Sequence, residues 1–147
     1  MKLGVIGSPI EHSKSPEIHT NFANQFDLDL VFDKYLVGKD ECLEWVKSFF
    51  ESGGLGLSVT LPLKEVVLEI ADDVSLRAKQ AAAANMLFLK DGKIFADCTD
   101  GLGLVTDLKT KDVDIADKKI LILGAGGAAK GIVPSVSYTH LTLPTSR

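Results

Sequence analysis

The stretch Leu57-Ser58-Val59-Thr60-Leu61-Pro62-Leu63-Lys64-Glu65 reads as a short apolar strand that stops at Pro62, a residue unable to donate to a sheet ladder. A helix is expected to restart behind it at Leu63 and to run to Ile70. Strand and helix have by this point alternated three times along the chain, which argues for a mainly parallel sheet with helices on both of its faces. In such an open α/β sheet, ligands bind at the carboxyl ends of the strands. Ser58, Thr60 and Lys64 therefore lie where hydroxyl and ammonium groups would face a small polar molecule together. The plainer alternative is that Lys64 is a solvated lysine opening a helix.

Upstream, Lys2 to Ile6 is a buried-type strand, and Gly7-Ser8-Pro9 turns the chain into Ile10-Glu11-His12-Ser13-Lys14-Ser15-Pro16. Ser15 suits an N-cap and Pro16 the first helical position. Ile18, Phe22 and Phe26 recur every four residues behind them, giving a helix with one apolar face. Its N-terminus, with the Ser13 and Ser15 hydroxyls beside unpaired N–H groups, is suited to a carboxylate; simple capping by Ser15 is the alternative. A strand over Leu30 to Val37 and a helix over Asp40 to Glu51, ended by Gly53-Gly54, complete this half, and the third strand runs from Leu55 to Thr60.

Downstream, Asp72 to Ser75 reads as a polar turn and Leu76 to Ala82 as a short helix. The runs Ala84 to Leu89 and Lys93 to Ala96 flank Asp91-Gly92, a two-residue hairpin signal. Asn85, polar amid alanines, either ties a turn together or bonds a ligand hydroxyl. Asp97-Cys98-Thr99-Asp100-Gly101-Leu102-Gly103 closes the hairpin and opens a further helix, for which Asp100 would be an N-cap. Lys109 to Lys119 is a charged linker. Lys119 to Leu123 is an apolar strand running into Gly124-Ala125-Gly126-Gly127-Ala128-Ala129. Gly124 permits a tight turn, Gly126 lets a pyrophosphate approach the backbone, and Ala129 fills the third position of a dinucleotide turn. A P-loop is excluded, because Lys130 has neither a glycine before it nor a serine or threonine after it.

The 147 residues fit one small domain plus part of another. A net charge of −4 provides no basic footprint for nucleic acid, and no charge run points to a membrane partner. Cys42 and Cys98 form no CxxC or Cys/His cluster, so neither a disulfide framework nor a metal site is indicated, and the cytoplasm is the expected compartment. The N-terminus is too short and too broken for a signal peptide or a span.

Taken jointly, Gly7 to Pro16, Val59-Thr60-Leu61-Pro62-Leu63-Lys64, Ala84-Asn85, Thr99-Asp100-Gly101 with Gly103, and Gly124 to Ala128 resemble the shikimate dehydrogenases, in order and spacing, from Met1 to about Pro134. The resemblance implies a shikimate-binding domain over residues 1–98 and the first strand, turn and helix of a Rossmann NADP-binding domain over 99–136. The implied reaction is NADPH-dependent reduction of 3-dehydroshikimate to shikimate, a step towards chorismate and the aromatic amino acids. It also implies Ser13 and Ser15 for the substrate carboxylate, Thr60, Lys64, Asn85 and Asp100 around the ring oxygens, and Gly124, Ala125, Gly126, Gly127 and Ala128 for NADP. Lys64 and Asp100 are expected to act as a catalytic dyad, since an ammonium stabilises charge growing on a ketone oxygen and can supply its proton. Partners would be the small-molecule substrate and cofactor, with a homodimer left open.

Two positions depart from the family pattern: Ser58 and Cys98 stand where asparagines are usual. The family also extends for roughly another half, including the ribose-phosphate reader. This chain is therefore expected to be truncated and to have little or no activity, with residues 137–147 as a non-native tail. Two neighbouring readings are a non-catalytic shikimate-binding fragment and a quinate/shikimate dehydrogenase using NAD.

Overall fold

A computed structural model describes residues 1–136; the expectation of a non-native tail at 137–147 lies outside the described residues. Six strands form one sheet in the order β2-β1-β3-β5-β6-β4. They are β1 Lys2–Gly7, β2 Val31–Leu36, β3 Gly56–Val59, β4 Asp73–Val74, β5 Met86–Lys90 and β6 Lys93–Asp97. β1 pairs in parallel with β2 and β3, β4 pairs in parallel with β6, and β5 runs antiparallel to both β3 and β6. The mixed, mainly parallel α/β reading holds. The hairpin turns at Asp91 (φ 53°) and Gly92 (φ 77°), as its Asp-Gly pair requires.

Two helices cover opposite faces of the first strands, because successive strand residues point to opposite sides. Phe32 of β2 stacks on His19 of α1 (Ser15–Gln25) at 4.3 Å between ring centroids. Tyr35, on the other face, packs against Trp45 and Phe49 of α2 (Cys42–Glu51). The core lies on the α2 side, where Ile6, Val46, Phe50, Leu57, Val59, Leu63, Val67 and Leu87 are all buried. On the α1 side an open groove of about 210 Å³ remains over Leu3, Phe32, Ser58, Met86 and Phe88.

Several expectations are corrected. Ile18, Phe22 and Phe26 do not bury one face of α1: they are 47%, 53% and 71% exposed, and α1 docks instead through His19 and Ala23. The helix expected from Leu63 to Ile70 is a pair of turns and one 3-10 turn, Val66–Glu69. Its helical ladder is broken because the Lys64 carbonyl accepts from Ala84 N (2.7 Å), and Leu68 N turns to Glu65 O instead. Asp72 to Ser75 is more than a turn. Asp73–Val74 adds a short edge strand to β6, and Ser75 caps α3 (Leu76–Ala81) by accepting from Ala78 N.

The apolar run Lys119 to Leu123 is not a strand among the described residues. It has no ladder partner there, and an isolated extended segment cannot satisfy its own N–H and C=O groups. Leu121 and Leu123 are 69% and 88% exposed. The helix after the glycines does form, as α5 (Gly127–Val136), packed on α4 (Asp100–Thr110) and on α3.

Candidate functional site

Adjacent parallel strands β1 and β3 end side by side, and their exits are tied together. Ser8 N donates to Leu61 O (2.9 Å) and Thr60 N to Ile6 O (3.0 Å). Gly7 allows this approach, since a Cβ there would come within 2.5 Å of Thr60 Cγ2 and 2.8 Å of Leu61 O. Thr60 O then accepts from Leu63 N (2.9 Å), which turns the chain so that Lys64 follows directly behind the strand end.

Lys64 Nζ donates to Asp100 Oδ2 at 2.6 Å, and the two side chains are only 12% and 24% exposed. The other carboxylate oxygen, Oδ1, accepts from Asn85 Nδ2 at 2.9 Å. Asn85 is fixed at its other end, where its Oδ1 accepts from Thr99 N (2.9 Å) and its Nδ2 donates to Thr99 Oγ1 (3.0 Å). The structure thus brings Lys64, Asn85 and Asp100 into one network, 36 residues apart at its widest. Asn85 ties the turn through Thr99 and contacts Asp100 at once, as the first of the two alternatives expects. Thr99 had no role assigned to it; its place between Asn85 and Asp100 follows from the hairpin closing, which only pairing reveals.

Two capping expectations are revised. Asp100 is the first residue of α4, with Thr99 at the cap position and no side-chain cap bond, because the Asp100 carboxylate is committed to Lys64 and Asn85. Ser15 likewise begins α1 with Lys14 at the cap position, and Pro16 falls second. Ser15 N donates to Ser13 Oγ (3.3 Å) and the two hydroxyls lie 3.2 Å apart, so the serines form a local pair in the loop leaving β1. Ser58 lies within β3 and lines the groove on the α1 side rather than joining Lys64.

The hairpin end is held from below by an ion pair absent from the sequence reading. Arg77 Nε donates to Asp97 Oδ1 (2.6 Å) and Arg77 Nη2 to Asp97 Oδ2, while Ser75 Oγ (2.6 Å) and Cys98 N (2.8 Å) also donate to Oδ1. The hydrogen bonds from Arg77 outweigh burial and hold the Asp97 carboxyl below the usual carboxylate range. Burial pushes the neighbouring Cys98 thiol up, which makes it a small buried residue and not a thiolate nucleophile.

The glycine turn approaches the same network. Gly124 has φ +120°, and a Cβ at Gly124 or Gly126 would meet nothing within 4 Å. A Cβ at Gly127 would lie 3.1 Å from Lys64 Cβ, and one at Gly131 would lie 3.0 Å from Asp100 Oδ2.

A lysine–carboxylate pair at the carboxyl end of parallel strands, with a glycine-rich turn alongside, places the protein in the class of open-sheet α/β folds, whose strand ends are where ligands generally bind. Residues 5–87 match the family model for the shikimate dehydrogenase substrate binding domain, and the chain belongs to that family. Among its relatives, the shikimate dehydrogenase (NADP(+)) of Methylococcus capsulatus is 49% identical over 134 residues, which is 90% of this chain and 48% of that protein. The crystal structure of shikimate dehydrogenase from Aquifex aeolicus is 29% identical with a TM-score of 0.90, covering 96% of this chain and 53% of that one. The shikimate 5-dehydrogenase of Listeria monocytogenes, solved in complex with shikimate and NAD, is 33% identical with a TM-score of 0.86, covering 94% and 48%. The chain spans about half the length of the curated relatives it matches. No helix among the described residues is long and apolar enough to cross a membrane.

Proposed function

We propose that this chain carries the substrate site of an NADP-dependent shikimate dehydrogenase, which reduces 3-dehydroshikimate to shikimate. The observation that carries the reading is the largely buried Lys64–Asp100 pair, 2.6 Å apart, at the exit of β3 with Asn85 on the free carboxylate oxygen. Negative charge growing on the substrate's ketone oxygen is met by the Lys64 ammonium, which donates the proton to that oxygen. Asp100 orients Lys64 and accepts from a ring hydroxyl, with Thr60 and Asn85 beside it. Ser13 and Ser15 donate to the substrate carboxylate from the start of α1. Residues 1–98 serve as the shikimate-binding part and 99–136 as the start of the nucleotide-binding part.

The residues present fit a dinucleotide. The turn is open at Gly124 and Gly126, so a pyrophosphate can approach the backbone, and α5 points its N-terminus out of that turn. Gly124, Ala125, Gly126, Gly127 and Ala128 would hold the phosphates, and the nicotinamide would supply the hydride. NADP is named for the Methylococcus relative, while NAD and shikimate are bound in the Listeria structure, so a quinate/shikimate dehydrogenase using NAD is the neighbouring reading. A non-catalytic shikimate-binding unit is the other reading, supported by the segment 120–123, which has no ladder partner among the described residues.

The test is shikimate titration by calorimetry, with shikimate-dependent NADP reduction followed at the nicotinamide absorbance, on this chain and on Lys64→Ala. Saturable shikimate binding that weakens about tenfold or more in the variant is the expected result, roughly the worth of one charge-assisted hydrogen bond. Turnover that collapses in Lys64→Ala would make the chain an enzyme by itself, and binding without turnover would favour the non-catalytic unit. Absence of shikimate binding to the wild-type chain would overturn the proposal.

A further inference from the structure

Lys130 Nζ donates to Glu65 Oε2 at 2.7 Å, joining residues 65 positions apart in the chain. Glu65 directly follows Lys64, and Lys130 stands on the first turn of α5, its own N–H bonded to Gly126 O (3.0 Å) within the glycine turn. We infer that Glu65 and Lys130 are positioning residues whose ion pair seats α5 on the Lys64 turn, holding the glycine turn and the Lys64–Asp100 pair as one unit.

The neighbouring contacts explain why such a tether is needed. α5 rests on the site through residues that have no side chain: Gly127 against the Lys64 stem, where a Cβ would lie 3.1 Å from Cβ and 3.4 Å from Cδ, and Gly131 against Asp100 and Cys98. Glycine contacts permit close approach but bury little area. The close packing of Ser135 on Gly101 and the buried Val136 lie at the far end of α5, so its first turn beside Lys64 has no side-chain knob of this kind to prevent sliding. A charged hydrogen bond reaching from α5 to the Lys64 turn is directional and resists that sliding. The pair differs in kind from Lys47–Glu51 and Lys111–Asp107, which join i,i+4 neighbours within or at the end of one helix and position nothing beyond it. The side chains of Lys130 and Glu65 are 40% and 50% exposed, so the tether is a weak one that salt can screen. Its catalytic consequence, a fixed separation between the phosphate-binding turn and Lys64, rests on the function proposed above; the mechanical coupling does not.

Amide hydrogen exchange at Lys130, Gly131 and Ile132 tests the coupling without any ligand, in the wild-type chain, Glu65→Gln, Lys130→Gln and the charge-exchanged double variant Glu65→Lys/Lys130→Glu. Each single variant is expected to exchange about threefold to fivefold faster at these amides, the scale of an exposed ion pair, with the double variant returning close to wild type. Wild-type exchange should also rise towards the single variants in roughly 1 M salt, where screening acts within a few ångströms. Equal exchange in all four proteins, or single-variant effects that the exchanged pair does not restore, would overturn the inference. A chain that shows the exchange pattern but binds no shikimate would sink the functional reading and leave the positioning role intact.

Discussion

Both carboxylate oxygens of Asp100 are engaged, Oδ2 by Lys64 and Oδ1 by Asn85, so this one side chain makes the site a network and not a list of nearby groups. Asn85→Ala should remove the support of Asp100 and the partner of Thr99 N together. It is expected to cost about 1–3 kcal/mol of stability in urea unfolding, the scale of a part-buried donor left unpaired, and to weaken shikimate binding alongside. Asp97 is the second residue on which much converges. It is 5% exposed and holds Arg77, Ser75 and Cys98 N. Arg77→Ala removes the charged partner of this carboxylate, leaving Ser75 Oγ and Cys98 N, and should cost about 1–3 kcal/mol at pH 7. Because Asp97 titrates below its unfolded value, the stabilisation is full above about pH 4 and lost as pH falls through the folded value. Urea midpoints of variant and wild type should therefore diverge at pH 7 and converge as pH falls through the lowered Asp97 value; a gap that does not depend on pH would refute the assignment.

Among the elements, α1 and α2 show how periodicity and burial separate. The Ile18, Phe22, Phe26 spacing has the helical period, yet these side chains are about half exposed or more and Phe26 falls just past the end of α1, while His19 stacks on Phe32 of β2 and Ala23 is buried. Phe22→Ser should therefore change stability by less than about 0.5 kcal/mol, whereas Phe50→Ala, in the packed face of α2, should cost about 3–5 kcal/mol. Equal losses in the two variants would show α1 to be buried through the stripe. The hairpin and the alternation of strands and helices were legible, since each depends on local chemistry: an Asp-Gly turn and a period; β3 itself stops at Val59, ahead of Pro62. The 3-10 turn behind Pro62 and the β4 edge strand were not legible. Each is decided by a backbone group from elsewhere in the chain, Ala84 N on Lys64 O in one case and the open edge of β6 in the other.

Across the whole molecule, the docking of α5 is the feature that joins the two sequence halves. Gly131→Ala would push a methyl to 3.0 Å from Asp100 Oδ2 and from Cys98 Sγ, and the helix must shift to accept it. The expected cost is about 1–3 kcal/mol, with faster amide exchange along α5, even though alanine is the better helix former. A stabilised Gly131→Ala protein would show that α5 does not sit against the site. The sequence by itself determined the α/β class, the strand exits and the residue types at each of them, because these follow from period, turn chemistry and the need to pair or cap backbone groups locally. Only the tertiary structure decided between the two uses of Asp100, a helix cap from the local sequence and a Lys64 partner from the family resemblance, and decided that Ser15 begins α1 and does not cap it, and that Lys119 to Leu123 has no ladder partner among the described residues. Those outcomes turn on competition for a hydrogen-bond partner, and a carboxylate, hydroxyl or strand edge takes the partner that packing brings within reach.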